Sequence, residues 1–258
     1  MSKKLDSSKI AREQCERTAK IYYAFRKRRG TANDLVEIPA MKKMIADVRG
    51  KRVLDAGCGF GSYSIYCARQ GADVTAVDIS PTMIELAEKE AAEAGVKIDF
   101  RVRDTTYLED IPAETFDMAI SSVAACFDMP LFFKEMARVL RPGGVFCFSD
   151  VHPMLGGGRK VGQGKEKALL VESYFRRGLR KAKNVFGKID PRDKDYQWQW
   201  EQYTLGDYCT ALKEAGFFIE TLWEAEPDPA AEHLNPKLYR QARKYPYFVL
   251  IRAIKRKI

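Results

Sequence analysis

Three glycines stand at alternate positions in the stretch "VLDAGCGFGS", with Asp55 two residues ahead of the first and Asp78 at the end of the next apolar run. A turn built on Gly57, Gly59 and Gly61 between a strand and a helix lets backbone N–H groups near the helix start meet a ligand unhindered by a Cβ. That is nucleotide chemistry. A dinucleotide fingerprint, G-x-G-x-x-G, requires glycine where this chain has Ser62, so the NAD pattern fails by one residue. Asp55 argues in the same direction, because a carboxylate at the strand end would repel a pyrophosphate and attract a cation. Asp78 sits where a carboxylate accepts hydrogen bonds from both hydroxyls of a ribose. A glycine loop, one carboxylate for a cationic end and one for a ribose describe a nucleoside with a positively charged tail. S-adenosylmethionine (SAM), with its ammonium and sulfonium, has that shape.

These residues need a scaffold that brings strand ends together. "RVLDA", "DVTAVDI", "KIDFRVR", "FDMAISSV" and "VFCFSDV" read as short apolar strands, with helices between most of them. That alternation implies parallel β-α-β crossovers with both sheet faces covered. Ser80, Pro81 and Gly95 mark the start and stop of one helix. Ahead of the core lies a polar helix from Ser2 to about Arg29, broken at Gly30, then a short helix around Pro39 to Val48. After His152 the pattern changes. In "KALLVESYFRRGLRKAKNVF", Ala168, Val171, Phe175, Leu179, Ala182 and Phe186 recur at spacings of three and four, which predicts a basic amphipathic helix. A final helix from about Leu205 to Ala215 and two strands, "FFIETLWEA" and "YPYFVLIRAIK", close the chain. The organisation expected is a helical lead-in over residues 1–49, a sheet core over 50–151, a basic helical cap insertion over 152–203, and a return to the core over 204–258.

The chain has 258 residues, 46% of them hydrophobic, enough for a full core. Six scattered cysteines without a C-x-x-C pair fit reduced thiols, and only two histidines leave no basis for a protein-held metal. The N-terminus lacks a signal-peptide pattern, so the expected location is cytoplasmic. The formal charge of +9 is concentrated. Residues 156–195 hold twelve Lys or Arg against five Asp or Glu.

"VLDAGCGFG", "AVDIS" followed by Met83, "RDTTYL", "FDMAISS" and "RPGG" before "VFCFSDV" resemble successive motifs of the class I SAM-dependent methyltransferases, closest to the small-molecule, ubiquinone/menaquinone-type branch. The resemblance implies a Rossmann-like, seven-stranded, mostly parallel sheet with the last strand antiparallel. It further implies that Asp55, Gly57, Cys58, Gly59 and Gly61 hold the methionine part and Asp78 the ribose. By the same pattern Ile79 and Met83 pack on the adenine, Asp104 and Thr105 lie at its edge, and Ser121 lines the site.

Methyl transfer from a sulfonium needs placement above all, and a base only when the acceptor must lose a proton. His152 follows the fifth strand on the carboxyl edge and is the candidate base, with a plain turn histidine as the alternative. Tyr22, with Tyr23 beside it, lies about thirty residues before Asp55, where the resemblance implies an aromatic lid over the cofactor, with routine helix packing as the alternative. Tyr23, Trp198, Trp200 and Tyr203 are placed as walls of an acceptor pocket, although alternating aromatics also suit a two-sided strand. The basic segment suits an anionic or lipid-soluble small acceptor, an acidic membrane surface or RNA phosphates, and equally a solvated cap face. A SAM-binding regulator without catalysis is the third functional class, beside small-molecule and RNA methylation.

Overall fold

The computed structural model describes residues 2–124, 127–162, 168–183 and 196–257. Apolar runs bounded by glycine turns form β1 (Arg52–Ala56), β2 (Asp73–Asp78), β3 (Asp99–Val102), β4 (Phe116–Ser122) and β5 (Leu140–Val151). They alternate with α3 (Ser62–Arg69), α4 (Pro81–Ala94) and α5 (Met129–Val139), after an N-terminal α1 (Ser2–Lys27), a π turn (Asn33–Glu37) and α2 (Ile38–Ile45). After β5 come α6 (Pro153–Gly156), β6 (Gly158–Val161), β7 (Ala168–Val171), β8 (Gly178–Lys183) and β9 (Gln197–Gln202). The chain closes with α7 (Leu205–Glu214), β10 (Phe217–Trp223), α8 (Pro236–Ala242) and β11 (Phe248–Lys255).

Seven strands form one sheet in the order β10-β11-β5-β4-β1-β2-β3. β1 to β5 are parallel, and β11 runs antiparallel to both β5 and β10. This order puts the carboxyl ends of β1, β2 and β4 side by side. Local signals set the elements as read: the Ser80 hydroxyl accepts from the Met83 N–H at 3.1 Å, and Gly95 takes the left-handed conformation that ends α4. The "RPGG" residues lie within β5 as a bulge, since Phe116 pairs with Leu140 but Met118 with Val145. One face of the sheet is filled by Phe132, Phe133, Phe146, Phe148 and Phe217 under α5 and α7. The other carries Leu35, Met41, Ile45, Val53 and Leu250 under the N-terminal turns.

The expected helical cap is corrected by the structure. Apart from the short α6, its described elements are two antiparallel strand pairs, β6 with β7 and β8 with β9. Gly178 adopts φ +92°, which breaks a helix there and begins β8. Pairing then alternates the side chains: Arg180 and Ala182 stand opposite Trp200 and Trp198, while Leu179, Lys181 and Lys183 face outward. Phe186 lies outside the described residues.

Candidate functional site

A cavity of about 310 Å³ opens at the carboxyl ends of β1, β2 and β4, a size suited to a small organic ligand. α1 forms its roof. Ser7, Ser8, Ala11, Cys15, Thr18, Tyr22 and Arg26 line it at helical spacing, so one whole face of α1 looks inward. The helix is pinned there from both ends. Ser8 donates to Asp104, Ser80 and Thr82 donate to the Glu16 carboxylate, and Tyr23 and Lys27 donate to Glu90. Gln14, almost fully buried, exchanges two bonds with the backbone of Gln199 on β9, at 3.1 and 2.9 Å.

The floor contains most of the residues singled out by sequence: Asp55, Gly57, Cys58, Gly59, Asp78, Ile79, Met83, Asp104 and Thr105, with Tyr22 above and Trp198 at the side. The glycines act differently from the expectation. The N–H groups of Gly57 and Cys58 both donate to the Val77 carbonyl, at 2.8 and 2.9 Å, and that of Gly59 to Asp78 at 2.9 Å. They brace the loop against β2, and their contribution to the cavity is the missing Cβ atoms. Gly57 holds φ +77°, and a Cβ there would meet the Ala124 methyl at 2.6 Å.

The two aspartates are buried, at 2% and 8% exposure. Burial pushes the Asp55 carboxyl up to about 6 against a bond from the Ser64 hydroxyl. Asp78 is also raised by burial, partly offset by N–H donors from Ser80 and Gly59. Both carboxylates are therefore held at a cost that a cation or additional donors in the cavity would relieve. Burial first, then Asp78 and Glu16, push the Cys15 thiol at the cavity wall up to about 12, and burial raises the Cys58 thiol well above its ordinary value, both of which disfavour the thiolate.

Six expected site residues, His152 among them, lie elsewhere. Gly61 ends the loop at φ +81°, where a Cβ would press on Ala87 and Phe100, so it serves the packing of α3 on α4. Ser121 is fully buried on the opposite face of β4, and its neighbour Ser122 lines the cavity instead. Tyr23 packs edge-on against Phe60 outside the cavity, with ring centroids 5.3 Å apart. Trp200 faces the inner side of its hairpin, its indole N–H 3.4 Å from Gln202 Oε1. Tyr203 supports the site from behind, its hydroxyl donating to the Phe127 carbonyl and accepting from the Met129 N–H.

His152 is a correction of larger consequence. It is 3% exposed and absent from the cavity lining. Its Nδ1 accepts from the Met154 N–H at 3.2 Å, capping α6, and Nε2 donates to Glu224 at 2.8 Å. Burial lowers its pKa against the raising effect of Glu224. Both ring nitrogens are committed, and the imidazole does not line the cavity.

The sequence reading missed Arg26, Ser122, Phe127, Asp128 and Leu131, all at the cavity wall. Arg26 Nε is buried there without a hydrogen-bond partner. Among the described residues of the insertion, Arg159 pairs with Glu172, Arg177 with Asp207 on α7, and Arg180 donates to Gly156 and Ser173. Among the described residues no cluster could hold a metal ion, and no helix is long and apolar enough to cross a membrane.

Residues 53–144 match the family model of a methyltransferase domain. A ubiquinone biosynthesis O-methyltransferase from Mesorhizobium japonicum is 34% identical over 142 residues, which cover 54% of this chain and 54% of that protein. The chain thus spans about half the length of the curated relatives it matches. Two crystal structures cover more. An S-adenosylmethionine-dependent methyltransferase from Mesorhizobium loti aligns over 88% of this chain and 99% of that one, with TM-score 0.71 and 28% identity. A counterpart from Listeria monocytogenes aligns over 86% and 97%, with TM-score 0.72 and 26% identity.

Proposed function

We propose that this chain, which has the fold and core sequence of the class I SAM-dependent methyltransferases, binds SAM in the cavity under α1 and methylates a small molecule beside it. One observation carries the reading: a single cavity combines two costly buried carboxylates, Asp55 and Asp78, with the partnerless Nε of Arg26. SAM has the matching groups. Asp55 would face its ammonium and Arg26 its carboxylate. Asp78 keeps lone pairs for the ribose hydroxyls beyond the two N–H bonds it already accepts. Ile79 and Met83 would flank the adenine with Asp104 and Thr105 at its edge, while Gly57, Cys58 and Gly59 leave room for the methionine part and Tyr22 closes over it.

Bound SAM supplies a methyl group on a sulfonium, already a good leaving group, so placement accounts for much of the acceleration. The protein's part is to hold the acceptor in line and keep water out. β2 and β3 lie on one side of β1 and β4 on the other, so a ribose at Asp78 leaves the β4 side for the acceptor. That side is walled by Phe127, Leu131 and Trp198, an apolar surface with Ser122 and Asp128 as polar groups. The names of the curated relatives support a hydroxyl-bearing small molecule as the acceptor class. The core would comprise residues 50–151 and 204–258, with 1–49 as lid and 152–203 as a hairpin insertion over the acceptor side. The free cysteines among the described residues are compatible with the cytoplasmic setting expected from the sequence.

The test is calorimetry with SAM, S-adenosyl-L-homocysteine (SAH) and NAD, followed by transfer of labelled methyl from SAM into fractionated cell extract. Binding of SAM and SAH but not NAD, with label in the small-molecule fraction, is expected. Label in RNA would replace the acceptor assignment, and SAM binding with no labelled fraction would favour a regulator.

A further inference from the structure

With His152 outside the cavity, a hydroxyl acceptor still has to lose a proton. The cavity carboxylates are committed: Asp55 and Asp78 to the cofactor side, Asp104 to Ser8 and Thr106, and Asp128 to the N-terminus of α5. Behind the wall lies another. Glu37, the last residue of the π turn, is fully buried. Its Oε1 accepts from the hydroxyls of Ser122 and Ser149, each at 2.7 Å, and its Oε2 from the Tyr63 hydroxyl at 2.8 Å. Ser122 and Ser149 are register partners on β4 and β5. All three partners are hydroxyls, each able to donate to a carboxylate or to accept from a carboxylic acid, so the cluster can hold the group in either form. Ser122 and Tyr63 both reach the cavity, so Glu37 meets it through either hydroxyl.

Resting on the methyl-transfer reading, we infer that Glu37 is the proton sink for a hydroxyl-bearing acceptor, reached through Ser122 or Tyr63, and so a positioning residue of the reaction. The acceptor O–H bond breaks and its proton passes to the bridging hydroxyl, whose own proton passes to Glu37. Glu37 becomes a neutral carboxylic acid. The acceptor oxygen uses its freed electron pair for the new O–CH₃ bond as the sulfonium S–CH₃ bond breaks, and that bond's pair stays on sulfur. Ser122 is the better relay of the two, because it stands at the end of β4 on the acceptor side and is partly open to the cavity. The charged and titratable groups facing this cluster are Tyr63 on α3, which Glu37 and Arg26 influence in opposite senses, and Tyr22 and Arg26 on α1. The 3-10 turn Pro229–Leu234, which packs against the π turn carrying Glu37, leaves Glu232 and His233 exposed to solvent.

The test compares two probes with labelled SAM: 3,4-dihydroxybenzoate, whose hydroxyl must be deprotonated, and 4-nitrothiophenol, already a thiolate at neutral pH. Glu37→Gln should lower catechol methylation by about 10²-fold, in the range of a lost general base, and remove the acid limb of its pH profile. Thiolate methylation and SAM affinity should stay within about twofold of the parent in this variant. Ser122→Ala or Tyr63→Phe should share the catechol-specific loss. A readout without turnover is the absorbance of 3,4-dihydroxybenzoate bound with SAH: the parent should shift it toward the catecholate spectrum and Glu37→Gln should not. Equal loss with both probes, no loss with either, or a parent that binds SAM yet methylates no catechol would each overturn the relay. Failure of the parent to bind SAM would instead overturn the methyl-transfer reading beneath it.

Discussion

Replacing Asp55 with Asn should make the ligand-free protein more stable and the SAM complex weaker, a combination that distinguishes a ligand-directed carboxylate from a structural one. Burial raises the Asp55 carboxyl from an ordinary 3.8 to about 6. The folded state therefore holds its proton more tightly than the unfolded chain. Above about pH 6 the ionised group costs stability, and that cost is relieved as pH falls from about 6 toward 3.8. Two pH units correspond to roughly 3 kcal/mol at neutral pH, an upper bound for what Asn could recover. A gain of about 1–3 kcal/mol, several degrees in Tm for a domain of this size, is expected. SAM binding should run the other way. A cation is attracted only to the ionised form, so parent affinity should fall about tenfold between pH 7 and pH 5, whereas the Asn protein should be weaker throughout and flatter with pH. Asp78 is shifted in the same direction, so the difference between parent and variant is the quantity to read. Thermal denaturation and calorimetry at four pH values suffice. An Asn protein that is less stable without ligand and binds SAM as the parent does would refute the argument.

Asp78→Ala should weaken SAM binding by about 1.5–3 kcal/mol, as expected for hydrogen bonds to a charged group, and unchanged affinity in calorimetry would remove Asp78 from the ribose site. His152→Gln should leave turnover within about twofold and lower stability by about 1–2 kcal/mol, because it breaks the Glu224 bond and the cap on α6. The depressed pKa of His152 means that its contribution is present above about 6.5 and lost as pH falls below that value, so the variant's melting temperature should decline less toward acid. Gln14→Ala should leave the Gln199 N–H without its partner, and amide exchange at Gln199 should quicken while the β1 amides stay protected.

The cofactor half of the site was readable because its residues follow one another along the chain. Asp55, the glycine loop and Asp78 occupy consecutive elements, and strand–turn–helix geometry places them together whatever the rest of the chain does. The roof was readable in part. The pair Tyr22 and Tyr23 points to a lid, whereas the series Ala11, Cys15, Thr18, Tyr22 and Arg26 repeats at spacings of three and four, a face too polar for a hydrophobic core and aligned for a polar ligand. The insertion has apolar residues at helical spacing, but Gly178 in its middle takes a left-handed φ that no helix continues through. Hairpin pairing with β9, distant in sequence, then outweighed local helical periodicity.

The acceptor half depends on two things that sequence position leaves open: which face a side chain takes, and which distant residue answers it. His152 was placed at the right height, at the carboxyl edge of the sheet, but height alone does not put a side chain in the cavity. Parity along β4 decides between Ser121 and Ser122 in the same way, and one step along the strand separates a serine in the packed layer from one that reaches both the cavity and Glu37. A signal for Glu37 was nevertheless present. "AISS" and "CFSD" place Ser122 and Ser149 side by side near the ends of adjacent parallel strands, and hydroxyls that are partly or wholly buried there favour a shared acceptor. The short apolar turn "DLVEIPAM" carries a single carboxylate among residues otherwise suited to the core. Asking which residue could answer those two serines leads to Glu37 before any consideration of catalysis, and its contact with two cavity hydroxyls then follows from where β4 and α3 end.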